Sequence, residues 1–291
     1  MYSPYGAESV GTTVVERGWI PNGIDLTRPS AARVYDAFLG GGHNFAVDRE
    51  FARRAEQVFP GVSRACRANR AFLRRAVEFG VSQGVRQFLD IGSGIPTRGN
   101  VHEIAQQHSP DCRVVYVDNE AVAVAHSEMM LQGVRNTGVV DADLCRPEEL
   151  LTHPVIRSLI DFDQPVMLLM LAVLHFVPDD EDPAQLVSRY MRRLAPGSLL
   201  AVTHATAAAR PEEMSALERL YAGSTNPAKA RTPEWIAGLF RDCESVPPGL
   251  CYVPDWRPDG ALRPHPEHYI FYGGVGRRSA QVRQHSGEQT G

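Results

Sequence analysis

The chain has 291 residues, 43% hydrophobic and 22% charged, with a net charge of −4 and a pI near 6.2. That composition is ordinary for a globular protein and long enough to bury a large core without staples; it offers no basic field for nucleic acid and no apolar run of about 18 residues for a membrane span. Five cysteines without a Cys-x-x-Cys pair argue against a disulfide framework or a zinc site and place the chain in a reducing cytoplasm, and a single lysine (Lys229) among 30 basic residues reads as the arginine bias of a GC-rich bacterial genome.

In chain order, residues 1–23 read as a flexible arm ending at Pro21-Asn22-Gly23, and residues 24–84 as a helical cap. A first helix is predicted over Pro29–Leu39, capped near Thr27 or Arg28 and stopped by Gly40-Gly41-Gly42. Asp48 is expected to cap a second helix to about Phe59, and a third runs from Val62 to Gly80, with Arg64, Arg67, Arg70, Arg74 and Arg75 on a solvated face. From Val85 the pattern alternates. Strands are predicted at Gln87–Ile91, Arg113–Val117, Gly138–Val140, Pro165–Leu171 and Ser198–Thr203. Helices are predicted at Val101–His108, Glu120–Leu131, Pro147–Leu151 and Pro183–Leu194. Such alternation means a mostly parallel sheet covered on both faces. Helices at Pro211–Tyr221 and Pro233–Phe240 precede a closing antiparallel pair, Gly249–Val253 and His268–Gly273, and a polar disordered tail covers 277–291.

The densest chemical signal is Asp90-Ile91-Gly92-Ser93-Gly94, a buried strand ending in a glycine turn through which a ligand can approach the backbone. Asp118 ends the next strand, 24 residues after Gly94, where a carboxylate accepts the two hydroxyls of a ribose. Asp143 follows the third strand and is placed to accept an adenine amine, with Leu144 packing on the ring. Thr97 replaces the third glycine of a dinucleotide fingerprint, and Asp90 would repel a pyrophosphate but suits a cation. Carboxylates after three successive strands therefore fit a cationic adenosine ligand without phosphates, S-adenosylmethionine.

These motifs, with Leu168 to Asp179 and Leu194 to Leu200, resemble those of class I S-adenosylmethionine-dependent methyltransferases. Arg33 to Asp48, Pro96 to Glu103 and Trp256-Arg257-Pro258 extend the resemblance to a bacterial S-adenosyl methyltransferase family long filed as a domain of unknown function. The resemblance implies a Rossmann-like α/β fold, a seven-stranded mostly parallel sheet over residues 85–276 with an N-terminal helical cap. It also implies a cofactor site at Asp90, Gly92, Gly94, Thr97, Asn100, Asp118, Asn119, Asp143, Leu144 and Ala172. The function expected is methyl transfer to an O or N nucleophile of a small molecule. The alternatives are a non-catalytic sensor of the cofactor or its demethylated product, and a nicotinamide-dependent oxidoreductase.

Tyr35, Asn44 and His175 are the candidate catalytic or acceptor-contacting residues. The Tyr35–Asp48 segment reads as a glycine-hinged lid, or alternatively as a loop joining two helices. His175, after the fourth strand, is either a general base or a hydrogen-bonded histidine closing the strand, and His204 is a weaker candidate. Met129, Met130, Met167 and Met170 read as core filler. The acidic run Asp179 to Asp182 reads as the N-terminus of the following helix, and no metal is assigned. The cap helices suit packing on their own domain or across a homodimer, and the pattern leaves both open.

Overall fold

The computed structural model describes residues 24–97, 99–261 and 265–279. The expected arm at 1–23, and the expected tail from 280 onward, lie outside the described residues.

The cap comprises α1 (Ala31–Leu39), α2 (Ala46–Val58) and α3 (Val62–Ser82). Ser30, rather than Thr27 or Arg28, caps α1, its hydroxyl accepting from the Arg33 amide at 3.4 Å. Asp48 lies inside the first turn of α2, where its Oδ2 accepts from the Phe45 amide (2.9 Å) and meets the Arg33 Nε at 2.8 Å. Arg33 also donates through Nη1 to Glu120 Oε1 (3.2 Å) and through Nη2 to the Arg28 carbonyl (2.7 Å). The arginine face of α3 is solvated at Arg64 and Arg67, but Arg75 is buried and corrects the expectation. Its guanidinium donates to the carbonyls of Trp256 and Val253, both at 2.8 Å, and ties the cap to the C-terminal segment.

The alternating region gives β1 (Gln87–Ile91), α4 (Val101–His108), β2 (Arg113–Asp118), α5 (Ala121–Leu131) and β3 (Thr137–Asp141). There follow α6 (Pro147–Thr152), α7 (Pro154–Leu159), β4 (Met167–Leu171), α8 (Pro183–Arg193) and β5 (Leu199–Ala205). The closing part is α9 (Pro211–Tyr221), α10 (Pro233–Gly238), β6 (Cys243–Ser245), β7 (Cys251–Tyr252) and β8 (Phe271–Arg278).

The sheet has eight strands where seven were expected, ordered β3-β2-β1-β4-β5-β8-β6 with the short β7 also on β8. β1 to β5 are parallel, and β8 is antiparallel to β5, β6 and β7. β8 runs to Arg278, so Arg277 and Arg278 belong to the sheet and not to a tail. Successive side chains face opposite ways: Phe88, Val114, Met167 and Ala201 pack toward α2, α3 and α4, while Leu89, Val115, Leu168 and Val202 pack toward α6, α7 and α8. Met167 and Met170 are core, as read, but Met129 (53% exposed) and Met130 (40%) are at the surface. The apolar residues of α5 are spread around the helix and two of its buried residues, His126 and Ser127, are polar, so its sequence does not reveal which side faces inward.

The chain reverses direction across the sheet between β1 and β4, and the crevice beyond the carboxyl ends of parallel strands at such a switch point is where ligands bind.

Candidate active site

A cavity of about 410 Å³ opens at that crevice. Its wall brings together Tyr35, Gly92, Gly94, Asp118, Asn119, Asp143, Leu144, Ala172 and His175. Asn44, Asp90, Thr97 and Asn100 do not line it.

The glycine turn and Asp118 form one unit. The Gly94 amide donates to Asp118 Oδ2 (2.7 Å) and the Glu120 amide to Oδ1 (2.9 Å), so the end of β2 clamps the turn after β1. Burial raises the Asp118 pKa above the usual carboxylate range, and these backbone donors pull against it. Gly92 (φ +71°) and Gly94 (φ +66°) are both left-handed; a Cβ on Gly92 would fall 2.3 Å from Val173 Cγ2, whereas one on Gly94 would meet nothing within 4 Å. The Cys145 amide donates to Asp143 Oδ1 (2.9 Å), and the Tyr190 hydroxyl holds the Leu144 carbonyl at 2.7 Å.

Asp90 is 5% exposed on β1. Burial, with the charge of Asp118 adding, pushes its pKa up to about 7 against the pull of Arg70. Thr97 and Asn100 shape the loop instead: the Thr97 amide donates to Asn100 Oδ1 (3.1 Å), and Glu103 accepts from the Asn100 amide (2.9 Å) at the start of α4.

Ala172 takes φ +55° just past β4, a strained conformation for a residue with a Cβ. Its amide donates both to the Thr203 carbonyl and to Thr203 Oγ1, each at 3.0 Å. The Thr203 hydroxyl donates to Asn69 Oδ1 (2.8 Å), the Asn69 amide donates to the Tyr35 hydroxyl (3.1 Å), and that hydroxyl donates to the Cys66 carbonyl (3.1 Å). Burial pushes the Tyr35 pKa far above its usual value, so the phenol is neutral. Asn69 and Thr203 escaped the sequence reading, since nothing local marks a residue on α3 and one on β5 as partners.

Asn44 is committed elsewhere. Its side-chain amide donates to Asp36 Oδ2 (2.7 Å) and to the Gly41 carbonyl (2.9 Å), while its Oδ1 accepts from Arg49 (3.0 Å). Asp36 Oδ2 also accepts from the His43 amide at 2.9 Å. The segment expected as a lid is a loop fastened around Asp36, the alternative reading of the same residues.

His175 is 8% exposed in a short 3₁₀ turn after β4, with its ring 4.3 Å from that of Phe176 and 5.5 Å from that of His204, centroid to centroid. Its Nδ1 has no hydrogen-bond partner among the described residues. Burial, reinforced by His204, holds its pKa well below the usual imidazole value, so the ring is neutral. His204 does not line the cavity; its Nδ1 lies 2.8 Å from the Ala205 carbonyl, which fixes the proton on that nitrogen, and burial pushes its pKa down to about 4. Beside His175 the cavity is walled by Phe38, Phe176, Tyr221 and Phe271, of which only Phe176 adjoins it in the sequence. Asp182 caps α8 through the Gln185 amide (3.1 Å), and Asp179 pairs with Lys229 and Arg231, so the acidic run is structural.

Residues 17–279 match the family model described as S-adenosyl methyltransferase. The chain belongs to that family. This methyltransferase is 39% identical to a candidate methyltransferase from Thermobifida fusca, with a TM-score of 0.85 and coverage of 90% of this chain and 100% of the other. It is 37% identical to a DUF574-family protein from Streptomyces avermitilis, with a TM-score of 0.83 and coverage of 86% and 98%. No curated protein matches it. The S-adenosyl methyltransferase uses S-adenosylmethionine, which sets aside the nicotinamide alternative. The donor set of the methyltransferase fits that cofactor. Gly94 opens on free space, carboxylates follow β2 and β3, and among the described residues no lysine or arginine lines the cavity to repel a sulfonium. No described helix is long and apolar enough to cross a membrane.

Proposed function

We propose that the enzyme methylates an oxygen or nitrogen nucleophile of a small molecule held in the aromatic half of the cavity. The observation that carries this is His175, neutral, with an unpartnered Nδ1, at the wall shared by the glycine turn and the aromatic residues.

Bound at the crevice, S-adenosylmethionine supplies an electrophilic methyl group on a cationic sulfur. Gly92 and Gly94 let the backbone approach its methionine end, with Asp90, Thr97 and Asn100 supporting that turn and Ala172 bordering it. Asp118 accepts the ribose hydroxyls, Asn119 meets the adenine edge, and Asp143 with Leu144 holds the adenine. Tyr35 and the chain behind it set the wall against which the acceptor lies, and Asn44 keeps the cap loop in place. His175 accepts the proton of the nucleophile as the new bond forms. Transfer from a sulfonium relies mainly on alignment and on exclusion of water, and the aromatic residues that wall the acceptor half of the cavity serve both. An internal acceptor site needs no membrane or nucleic-acid partner, and five free cysteines fit a reducing cytoplasm.

Calorimetric titration with S-adenosylhomocysteine tests the cofactor assignments. The wild type is expected to bind it, and Asp118→Asn to bind it about 30-fold or more weakly, the size of a lost charged hydrogen bond. Equal affinity in the two proteins overturns the assignment of Asp118 to the ribose.

A further inference from the structure

The acceptor half of the cavity carries a selectivity of its own, legible in its charges. Five carboxylates line the whole cavity: Asp118, Glu120, Asp143, Glu181 and Glu218. Asp118 and Asp143 belong to the cofactor end in the reading above. Glu120 is paired with Arg33 (3.2 Å) and Glu181 with Arg146 (3.3 Å). Glu218, on α9, has no cationic partner among the described residues. Its Oε1 accepts from the Ala230 amide at 2.6 Å, which fastens the 222–232 segment to the helix but leaves the charge uncompensated.

Glu218 lies one helical turn before Tyr221, whose ring packs 5.7 Å from that of Phe176. Phe176 in turn packs against His175, the nine-tenths-buried imidazole with the unpartnered nitrogen. The acceptor half thus has aromatic walls, a polar neutral group at one place and an uncompensated negative charge at another. An anionic acceptor would bring a second negative charge beside Glu218, where no lysine or arginine among the described residues lines the cavity, and the two like charges repel. A flat ring with a cationic substituent meets the opposite situation.

We propose that the methyl acceptor is an aromatic amine-bearing molecule, its ring against the aromatic wall that Phe176 and Tyr221 form together and its ammonium directed to Glu218, and that the site rejects carboxylated and phosphorylated analogues. The inference rests on the functional reading above, which places the acceptor beside His175.

Three para-substituted phenols that share the ring and differ in charge test it: tyramine (cationic), p-cresol (neutral) and 4-hydroxyphenylacetate (anionic). Each is titrated into the full-length enzyme saturated with S-adenosylhomocysteine. Tyramine is expected to bind at least about tenfold more tightly than 4-hydroxyphenylacetate, with p-cresol between them, as one charge interaction near a partly wet surface produces. Glu218→Gln keeps an oxygen to accept from Ala230 and removes only the charge. It is expected to bind S-adenosylhomocysteine as the wild type does, showing that the fold holds, and to lose the advantage of tyramine over p-cresol. If S-adenosylhomocysteine itself fails to bind, the functional reading falls. If it binds but no phenol does, or 4-hydroxyphenylacetate binds as well as tyramine, or the preference survives in Glu218→Gln, the inference alone is overturned.

Discussion

Arg33 Nε lies 2.8 Å from Asp48 Oδ2, and both side chains are almost wholly out of water, 2% and 0% exposed. Two charges in that setting are stable only because each is fully partnered: Asp48 by the Ser30 and Phe45 amides, Arg33 by Glu120 and the Arg28 carbonyl. The pair joins α1 to α2, and Glu120 extends it to the first turn after Asp118, so the cap is locked to the cofactor edge of the sheet.

Removing one partner strands a buried charge. Arg33→Met is expected to cost about 3–5 kcal/mol, lowering the Tm by roughly 10 °C in a thermal melt. Adding Asp48→Asn should recover part of that loss. A double variant no more stable than Arg33→Met would show that the pair is not what holds the cap.

The two glycines of the turn separate stability from ligand binding. Gly92→Ala is expected to destabilise the fold, by about 1–2 kcal/mol for the left-handed backbone and about 1–3 more for the clash with Val173. Gly94→Ala carries the backbone term alone, so its melt should shift less. Its new methyl group enters the open space proposed for the cofactor, and the loss should appear in S-adenosylhomocysteine affinity. Melting curves and titrations on the two proteins check the contrast.

Buried groups give stability two opposing slopes with pH. His204 is neutral in the fold down to about 4, while the unfolded ring takes a proton from about 6.5, so its contribution is present above 6.5 and is lost as pH falls through that window. Asp90 behaves oppositely. Its folded pKa of about 7 against 3.8 unfolded means the fold gains stability as pH falls from 7 toward 4. Each slope is at most about 1.4 kcal/mol per pH unit, and they offset one another. Asp90→Asn removes one of them, so between pH 6.5 and 4 the variant is expected to lose stability more steeply than the wild type in denaturant titrations.

In the proposed mechanism His175 sets the acid limb of activity. Because burial holds its pKa well below 6.5, the wild-type rate should stay flat below that pH, where an exposed histidine would already be protonated. His175→Ala is expected to lower kcat by about 10²–10⁴ with little change in S-adenosylhomocysteine affinity. A kcat within twofold of wild type would remove the base from the mechanism.

Local grammar made much of this legible. The apolar runs of β1, β2 and β4 are neighbours in the sheet, and the residues at their ends (Gly92, Gly94, Asp118) meet at one edge, so the cavity wall they form could be read in order. α7, of six residues, and β6, of three, show no period that marks them, whereas β7 falls inside the strand expected at Gly249–Val253. The acceptor side was hidden for a different reason. Tyr221, Glu218 and Phe271 reach the cavity from elements that close the fold after β5, and Asn69 meets Thr203 across 134 positions. Arg75 and Arg33 were obscured by chemistry: arginine on a helix ordinarily faces water, and only tertiary partners reveal those that do not.

The run of bonds from Ala172 through Thr203 and Asn69 to Tyr35 and Cys66 has a consequence for anyone recombining this scaffold. It crosses from β4 and β5 into α3 and α1, so a chimera that imports the cap from a relative imports only half of a donor–acceptor series. Unless residue 203 travels with residues 35 and 69, one hydroxyl or amide at the junction has no counterpart. The natural unit of exchange in this enzyme is a set of side chains scattered along the sequence, and a crossover placed at the boundary between cap and sheet would cut through it.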